Sequence, residues 1–276
     1  MRSTRDIKHK IRAVRNIEQI TRAMKTVASI RLRRAEQRLM RARPYGDELA
    51  HLVARIAAVT HEHPYLQPRP VRRTALVLVT SDRGLAGGYN ITAIRQALAV
   101  GPPEQVGVVA VGRKGLGQMA RRGYQILDEI VPLGGEPSMP AVWRLARRMG
   151  EKYMAGEIDR VVLVYARFGG GAAYRVRSDV LLPVEAQAVD IGFTLFEPDP
   201  RELLAGLMDR YLRTAVLGAV LEASTSEHAA RVAAMTAATD NAEEMIQDLT
   251  MDYNQARQAG ITRELTEIVS TAEATG

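Results

Sequence analysis

The chain has 276 residues, 46% of them hydrophobic and 25% charged, with no cysteine and a net charge of +7. That length and apolar content support one large domain or two modest ones with a real core. The missing cysteine excludes disulfides, thiolate catalysis and Cys-based metal sites, and no stretch is apolar for long enough to read as a membrane span.

The charge is unevenly placed. Residues 1–43 carry fourteen Lys/Arg against three acids, net +11, whereas residues 222–276 carry three Arg against ten Asp/Glu, net −7. Two amphipathic helices so charged suit each other as neighbours. Residues 44–221 keep only +3, so the middle is not a basic platform for nucleic acid. The N-terminal segment lacks the apolar core and cleavage site of a secretory signal. It shares Arg-rich amphipathicity with transit peptides, but its acids and unbroken periodicity read as mature structure.

In chain order, apolar residues at Ile7, Ile11, Val14, Ile17, Ile20, Met24 and Val27 recur every three or four positions and predict a helix, with Ser3 and Thr4 as caps. Pro44 and Gly46 predict a weakening or bend, after which the helix resumes to about Val59. A helix so long needs a partner, because isolated helices are marginal in water. Residues 60–73, with Pro64, Pro68 and Pro70, read as a linker. The run at 74–80 predicts a strand buried on both faces, followed by a glycine-rich turn at 84–88 and a helix over about 90–99. Residues 106–112 repeat the strand signal and 114–122 the helix. A short strand near 125–131, a helix over 138–155, a strong strand at 160–165 and its hairpin partner at 174–182 complete the middle, with Gly169–Gly171 as the hairpin tip. From Pro200 to the end the pattern is helical, with no strict heptad at either end of the chain. Strand alternating with helix predicts a parallel layer. The whole is α/β with long helices: terminal helices over 1–59 and 200–276 flank an inserted Rossmann-like α/β domain at 74–199.

The chemistry-bearing motifs are few. Ser81 to Asn90 sits between a strand and a helix, where backbone amides can cradle phosphate. Its spacing is neither G-x-G-x-x-G nor a Walker A, and glycines required by a tight strand-to-helix turn explain it better. Asp82, the only acid at a strong strand's C-terminal end, is expected to pair with a basic neighbour. His61-x-His63 lies in the linker and reads as solvated surface. No nucleophile with a base and no paired carboxylates appear, so no catalytic residue, metal or cofactor is expected.

At Ile20 to Ala28 the chain resembles the γ subunit of F-type ATP synthase, the central rotor shaft. The likeness extends through Asp6–Lys8, Ile11–Asn16, Thr80–Leu85, Gly87–Asn90 and Phe196–Pro200. It continues through Ser226–Arg231, Ala238–Ala242, Tyr253–Asn254, Ala256–Gln258, Ile261–Thr262 and Glu264–Val269. It thins in the middle beyond residue 100. Ala86 stands where the family often has Cys, Thr236 where it has a basic residue, and Arg263 where it has Gln.

The resemblance implies an antiparallel coiled coil of the two terminal helices inside an α3β3 hexamer. It also implies a foot on the membrane c-ring beside ε, one copy per complex, no catalysis, no direct membrane span and no nucleic acid. Carried over residue by residue, Met24, Lys25, Arg231, Gln258 and Thr262 would face the stator loops. Phe196 and Glu197 would belong to the foot. A bacterial protein on the cytoplasmic face of the inner membrane would follow. The rival readings are an anion-binding module, with the Arg-rich helix on nucleic acid or lipid, and a nucleotide-using α/β enzyme with its phosphate site at 84–88.

Overall fold

The computed structural model describes residues 4–60, 63–133, 138–184 and 196–275, excluding the side chains of 267, 269 and 271–275. The N-terminal helix α1 spans Thr4–Ala57 and the C-terminal helix α5 spans Pro200–Thr275. Between them lie β1 (Thr74–Val79), α2 (Tyr89–Leu98), β2 (Val106–Val111), α3 (Arg113–Arg121), β3 (Gln125–Ile130), α4 (Met139–Met154), β4 (Arg160–Gly170) and β5 (Ala173–Leu182). Residues 28–231 form one compact unit, and the remaining described parts of α1 and α5 form another.

In the first unit the five strands run in the order β3-β2-β1-β4-β5, parallel except for the antiparallel β4–β5 hairpin. All six residues of β1 are buried, as its uninterrupted apolar run requires. Because side chains alternate along a strand, β1 feeds two cores. Ala75, Val77 and Val79 pack with Leu49, Val53 and Ile56 of α1 and with Leu204, Met208 and Leu212 of α5. Leu76 and Leu78 face the other way, onto Ala93 and Ile94 of α2 and Met119 of α3. Fully burying one such leucine stabilises the fold by ~1.5–3 kcal/mol. The strand order makes a doubly wound, Rossmann-like layer, with part of the helical pair covering one face.

Pro44 does not end α1, which stays helical through it. Leu39 and Leu49 are buried on either side of the proline, and Arg43 bonds to Glu222 of α5, so tertiary contacts hold the turn that Pro44 weakens. The hairpin is longer than the sequence suggests: β4 runs to Gly170, leaving only Gly171 and Ala172 at the tip.

The seam of α1 is stricter than its apolar residues imply. Among its buried or half-buried positions, Ile7, Ile11, Val14, Glu18, Thr21, Lys25 and Ala28 follow alternating steps of four and three, with half-buried Met24 flanking the line. That is the a/d spacing of a coiled coil, so the expectation of a loose heptad is corrected here. In the second unit α5 matches it with Met235, Thr239, Ala242, Ile246, Leu249 and Tyr253. The hydroxyls of Thr21 and Thr239 meet at 2.9 Å, and Arg22 Nη2 donates to Glu243 Oε1 at 2.5 Å while lying 2.7 Å from Glu18 Oε1. Ile17, Ile20 and Val27, which the apolar pattern would have put on the seam, are exposed, Ile20 to 59%. A helix advances 100° per residue, so a one-residue offset moves a side chain off a narrow seam.

Candidate functional site

The strand-end turn is the place where a phosphate site would have to be. β1 leads into Thr80-Ser81-Asp82, and α3 starts after Gly112. The first amides of α3 are already bonded within the chain. Arg113 N donates to Asp82 Oδ1 at 3.1 Å, Lys114 N to Ser81 O at 3.0 Å and Gly115 N to Thr80 Oγ1 at 2.8 Å. Asp82 thus caps a helix through the backbone amide of Arg113. Ser81 N donates to Asn90 Oδ1 at 3.0 Å, locking the turn onto α2. Gly112 sits at φ 95°, and a Cβ there would come within 2.1 Å of Thr80 O. The glycine is therefore required by packing of the strand-to-helix junction. No group of side chains among the described residues could hold a metal ion; His61 lies outside them.

The Ser226–Arg231 motif docks this turn onto α5. Ser226 Oγ donates to Ala166 O of β4 at 3.0 Å, and buried Tyr89 donates to Ala223 O at 3.0 Å. Arg231 lies 2.7 Å from Glu227 and donates to Gly84 O at 3.4 Å. Burial raises the Glu227 carboxyl pKa against the opposing pull of Arg231 and Arg31. His228 is buried as well, and burial followed by the charges of Arg231 and Arg31 pushes it down to about 4.

The residues implied by resemblance fall into two groups. Met24 and Lys25 are half-buried on α1. Gln258 and Thr262 are exposed on α5 of the same unit, with Thr262 Oγ1 donating to Gln258 O at 3.0 Å. Arg231 belongs to the other unit, nearly buried and engaged with its own chain. Phe196 packs half-buried on the main core there, and Glu197 is exposed.

The residues that sequence reasoning missed are those that clamp α1 and α5 to the sheet. Glu222 accepts from Arg43 Nε at 2.8 Å, from Arg43 Nη2 at 3.0 Å and from Phe168 N of β4 at 2.8 Å, while Arg43 Nη2 donates to Phe168 O at 2.9 Å. The bond to Glu222 raises the Arg43 pKa. An available signal was Glu222 itself, an acid three residues beyond Ala219 on an apolar stripe.

The buried histidine yields a test. Its folded pKa of about 4 lies below the ordinary 6.5, so the stability it permits is intact above pH 6.5. It is lost as pH falls toward 4, because only the unfolded chain takes up the proton. At pH 4.5 the loss is about 2–3 kcal/mol. Urea unfolding followed by Trp143, the sole tryptophan, should show His228→Gln with a shallower drop in stability between pH 7 and 4.5 than the parent. Equal drops would refute the assignment.

The family model for ATP synthase matches residues 3–275 of the chain. A curated relative, the ATP synthase gamma chain of Desulfitobacterium hafniense, is 42% identical over 279 residues, covering 99% of each chain. Among solved structures the fold matches a chain of the Euglena gracilis mitochondrial ATP synthase (OSCP/F1/c-ring, rotational state 3) with a TM-score of 0.72 and 21% identity, over 99% of this chain and 94% of that one. It also matches a chain of the Tetrahymena thermophila mitochondrial ATP synthase central stalk and c-ring at 0.62 and 23%, over 79% of this chain and 99% of that one. The chain thus belongs to the ATP synthase family, among its gamma chains.

Proposed function

We propose that this protein is the central rotor shaft of an F-type ATP synthase, coupling ion-driven rotation of a membrane ring to the conformational cycle of catalytic β subunits. The observation that carries the reading is the helical pair with a strict inner seam and apolar residues, Ile17, Ile20 and Val27, turned outward. Large apolar side chains on the outside of a coiled coil suit a surface that others enclose. The chain itself catalyses nothing; its partners are the α3β3 hexamer, ε and the c-ring, at one copy per complex. It sits peripherally, on the cytoplasmic face of a bacterial inner membrane. Among the described residues no helix is long and apolar enough to cross a membrane.

The working segments are 1–59 and 200–276 as the coiled coil and 74–199 as the foot. Met24, Lys25, Arg231, Gln258 and Thr262 face the stator loops, Arg231 also bonding Glu227 and Gly84 of its own chain, and Phe196 with Glu197 serves the foot. Turning an asymmetric shaft presents different contacts to each β subunit in sequence, and coupling is the difference in contact free energy between states.

Mixing the chain with purified α and β subunits should yield one copy per hexamer; no stable association would refute the proposal. Met24→Lys adds a second cation beside Lys25. One unwanted ion pair of ~0.2–1 kcal/mol is a sizeable part of a coupling energy of ~1–3 kcal/mol. The variant should assemble normally and hydrolyse ATP, yet pump fewer protons per ATP than the parent. Unchanged pumping per ATP would remove Met24 from the coupling surface.

The two rivals fare less well on particular grounds. The amides that open α3 beside the turn are taken by Thr80, Ser81 and Asp82, and Ser81 N, at the head of the turn itself, is taken by Asn90. Arg22 and Arg43 of the basic helix are committed to Glu243 and Glu222.

A further inference from the structure

Two lines of side chains compete for the inner seam of the helical unit built from the first part of α1 and the last part of α5. The line that α1 turns inward, Val14, Glu18, Thr21 and Lys25, is polar at three of its four positions. The neighbouring line, Ile17, Ile20, Met24 and Val27, is apolar throughout, yet Ile17, Ile20 and Val27 stand 54%, 59% and 50% exposed. Ile17, Ile20 and Met24 each precede a member of the inward line by one residue. A roll of α1 by ~100° therefore exchanges the two lines, and burial of apolar area alone would choose the second.

The contacts that hold the first line are polar. Thr239 Oγ1 of α5 donates to Thr21 Oγ1 at 2.9 Å, and Thr21 Oγ1 donates in turn to Glu18 O at 3.0 Å. Both threonines are buried, where water competes little for such a bond. Beside them Arg22 Nη2 bridges Glu18 and Glu243. That ion pair is exposed and weak by itself, but the roll would carry Arg22 to the side of α1 away from α5 and break it. It would also set Ile20 against the Thr239 hydroxyl. A polar residue at a seam position costs stability and fixes one arrangement against its competitors.

We propose that the Thr21–Thr239 hydroxyl pair is a positioning element that sets the rotation of α1 against α5. It holds Ile17, Ile20, Met24 and Val27 outward, with Arg22 and Glu243 assisting. Without the pair α1 rolls, and the apolar line turns inward. The use of the outward line rests on the rotor reading, in which Met24 faces the stator loops, whereas the rotation is a property of this chain alone.

The test uses the full chain, which has no cysteine, so one introduced thiol reports its own site. Ile17→Cys and Glu18→Cys are made separately in the parent, in Thr21→Ala with Thr239→Ala, and in Thr21→Ser with Thr239→Ser. Each is labelled with a maleimide under native conditions; loss of the Glu18 carboxylate is common to all three backgrounds. The alanine and serine pairs lose the same methyl groups and differ only in the hydroxyls. In the alanine pair the thiol at position 17 should react about tenfold slower than in the parent and the thiol at position 18 about tenfold faster, as a minor arrangement becomes the major one. The serine pair should match the parent. Alanine is the better helix former, so a merely structural role predicts the serine pair to be the looser of the two. Faster reaction at both positions means that the helices have only separated, and overturns the proposal. So do unchanged rates in the alanine pair, or alanine and serine pairs that behave alike. A chain that never joins α and β subunits would sink the rotor reading, while the labelling rates decide the rotation by themselves.

Discussion

Arg43→Ala is expected to destabilise the sheet-bearing unit by ~3–5 kcal/mol, because it leaves the carboxylate of Glu222 buried without its cation. The side chains are 28% exposed for Arg43 and 10% for Glu222, so the two halves of the pair are not equivalent. Glu222→Ala leaves a guanidinium that can still reach water, together with one unpaired amide at Phe168, and should cost less, ~1–3 kcal/mol. Arg43→Met with Glu222→Gln removes both charges while keeping an acceptor for Phe168 N, and should cost least of the three. Urea unfolding read from Trp143 fluorescence would show the midpoint of Arg43→Ala falling by about 1 M. A smaller loss for Arg43→Ala than for Glu222→Ala would mean that the buried carboxylate is not the source of the effect. The pair also joins both long helices to β4 through Phe168. In the rotor reading, torque must cross such a joint between foot and shaft.

That joint shows what the sequence could and could not convey. The opposed charge of the two ends was legible as net +11 against −7, and it predicted that the two long helices belong together. Which of fourteen cations meets which of ten acids was not, because Arg43 and Glu222 are separated by 179 positions and each sits in an ordinary helical charge pattern. Likewise β1 was readable from its unbroken apolar run, while its place at the centre of the sheet came from pairing with β2 and β4. Apolarity alone marks the seam of α1 correctly through Val14 and misplaces it by one position from Ile17 onward. Glu18 and Thr21 occupy seam positions while Ile17 and Ile20 point outward. Polar residues at a/d positions fix register at some expense of stability, and outward isoleucines make sense only once a partner is considered. Arg231, which resemblance places among the residues facing stator loops, also bonds Glu227 and Gly84 of its own chain. Motif matching identifies the residue and leaves its direction open.

The junction of β2 with α3 shows how far packing alone dictates where a glycine must stand. At Gly112 a Cβ would collide with Thr80 O at 2.1 Å and Thr80 C at 2.7 Å, both backbone atoms of the neighbouring strand end, and the φ of 95° disfavours any L side chain. Gly112→Ala should therefore cost ~4 kcal/mol or more, enough to leave little folded chain. Gly115 is tight in a different way: its Cβ would meet the Thr80 Oγ1 side chain at 2.8 Å and Leu78 Cδ2 at 3.1 Å. Those side chains can shift, so Gly115→Ala should cost ~1–3 kcal/mol. Gly117, two residues further along α3, has nothing within 4 Å, and Gly117→Ala should stabilise the helix by up to ~1 kcal/mol. Circular dichroism and urea unfolding of the three variants would give this order. The graded order, running from backbone collision through movable side chains to open space, follows from packing alone.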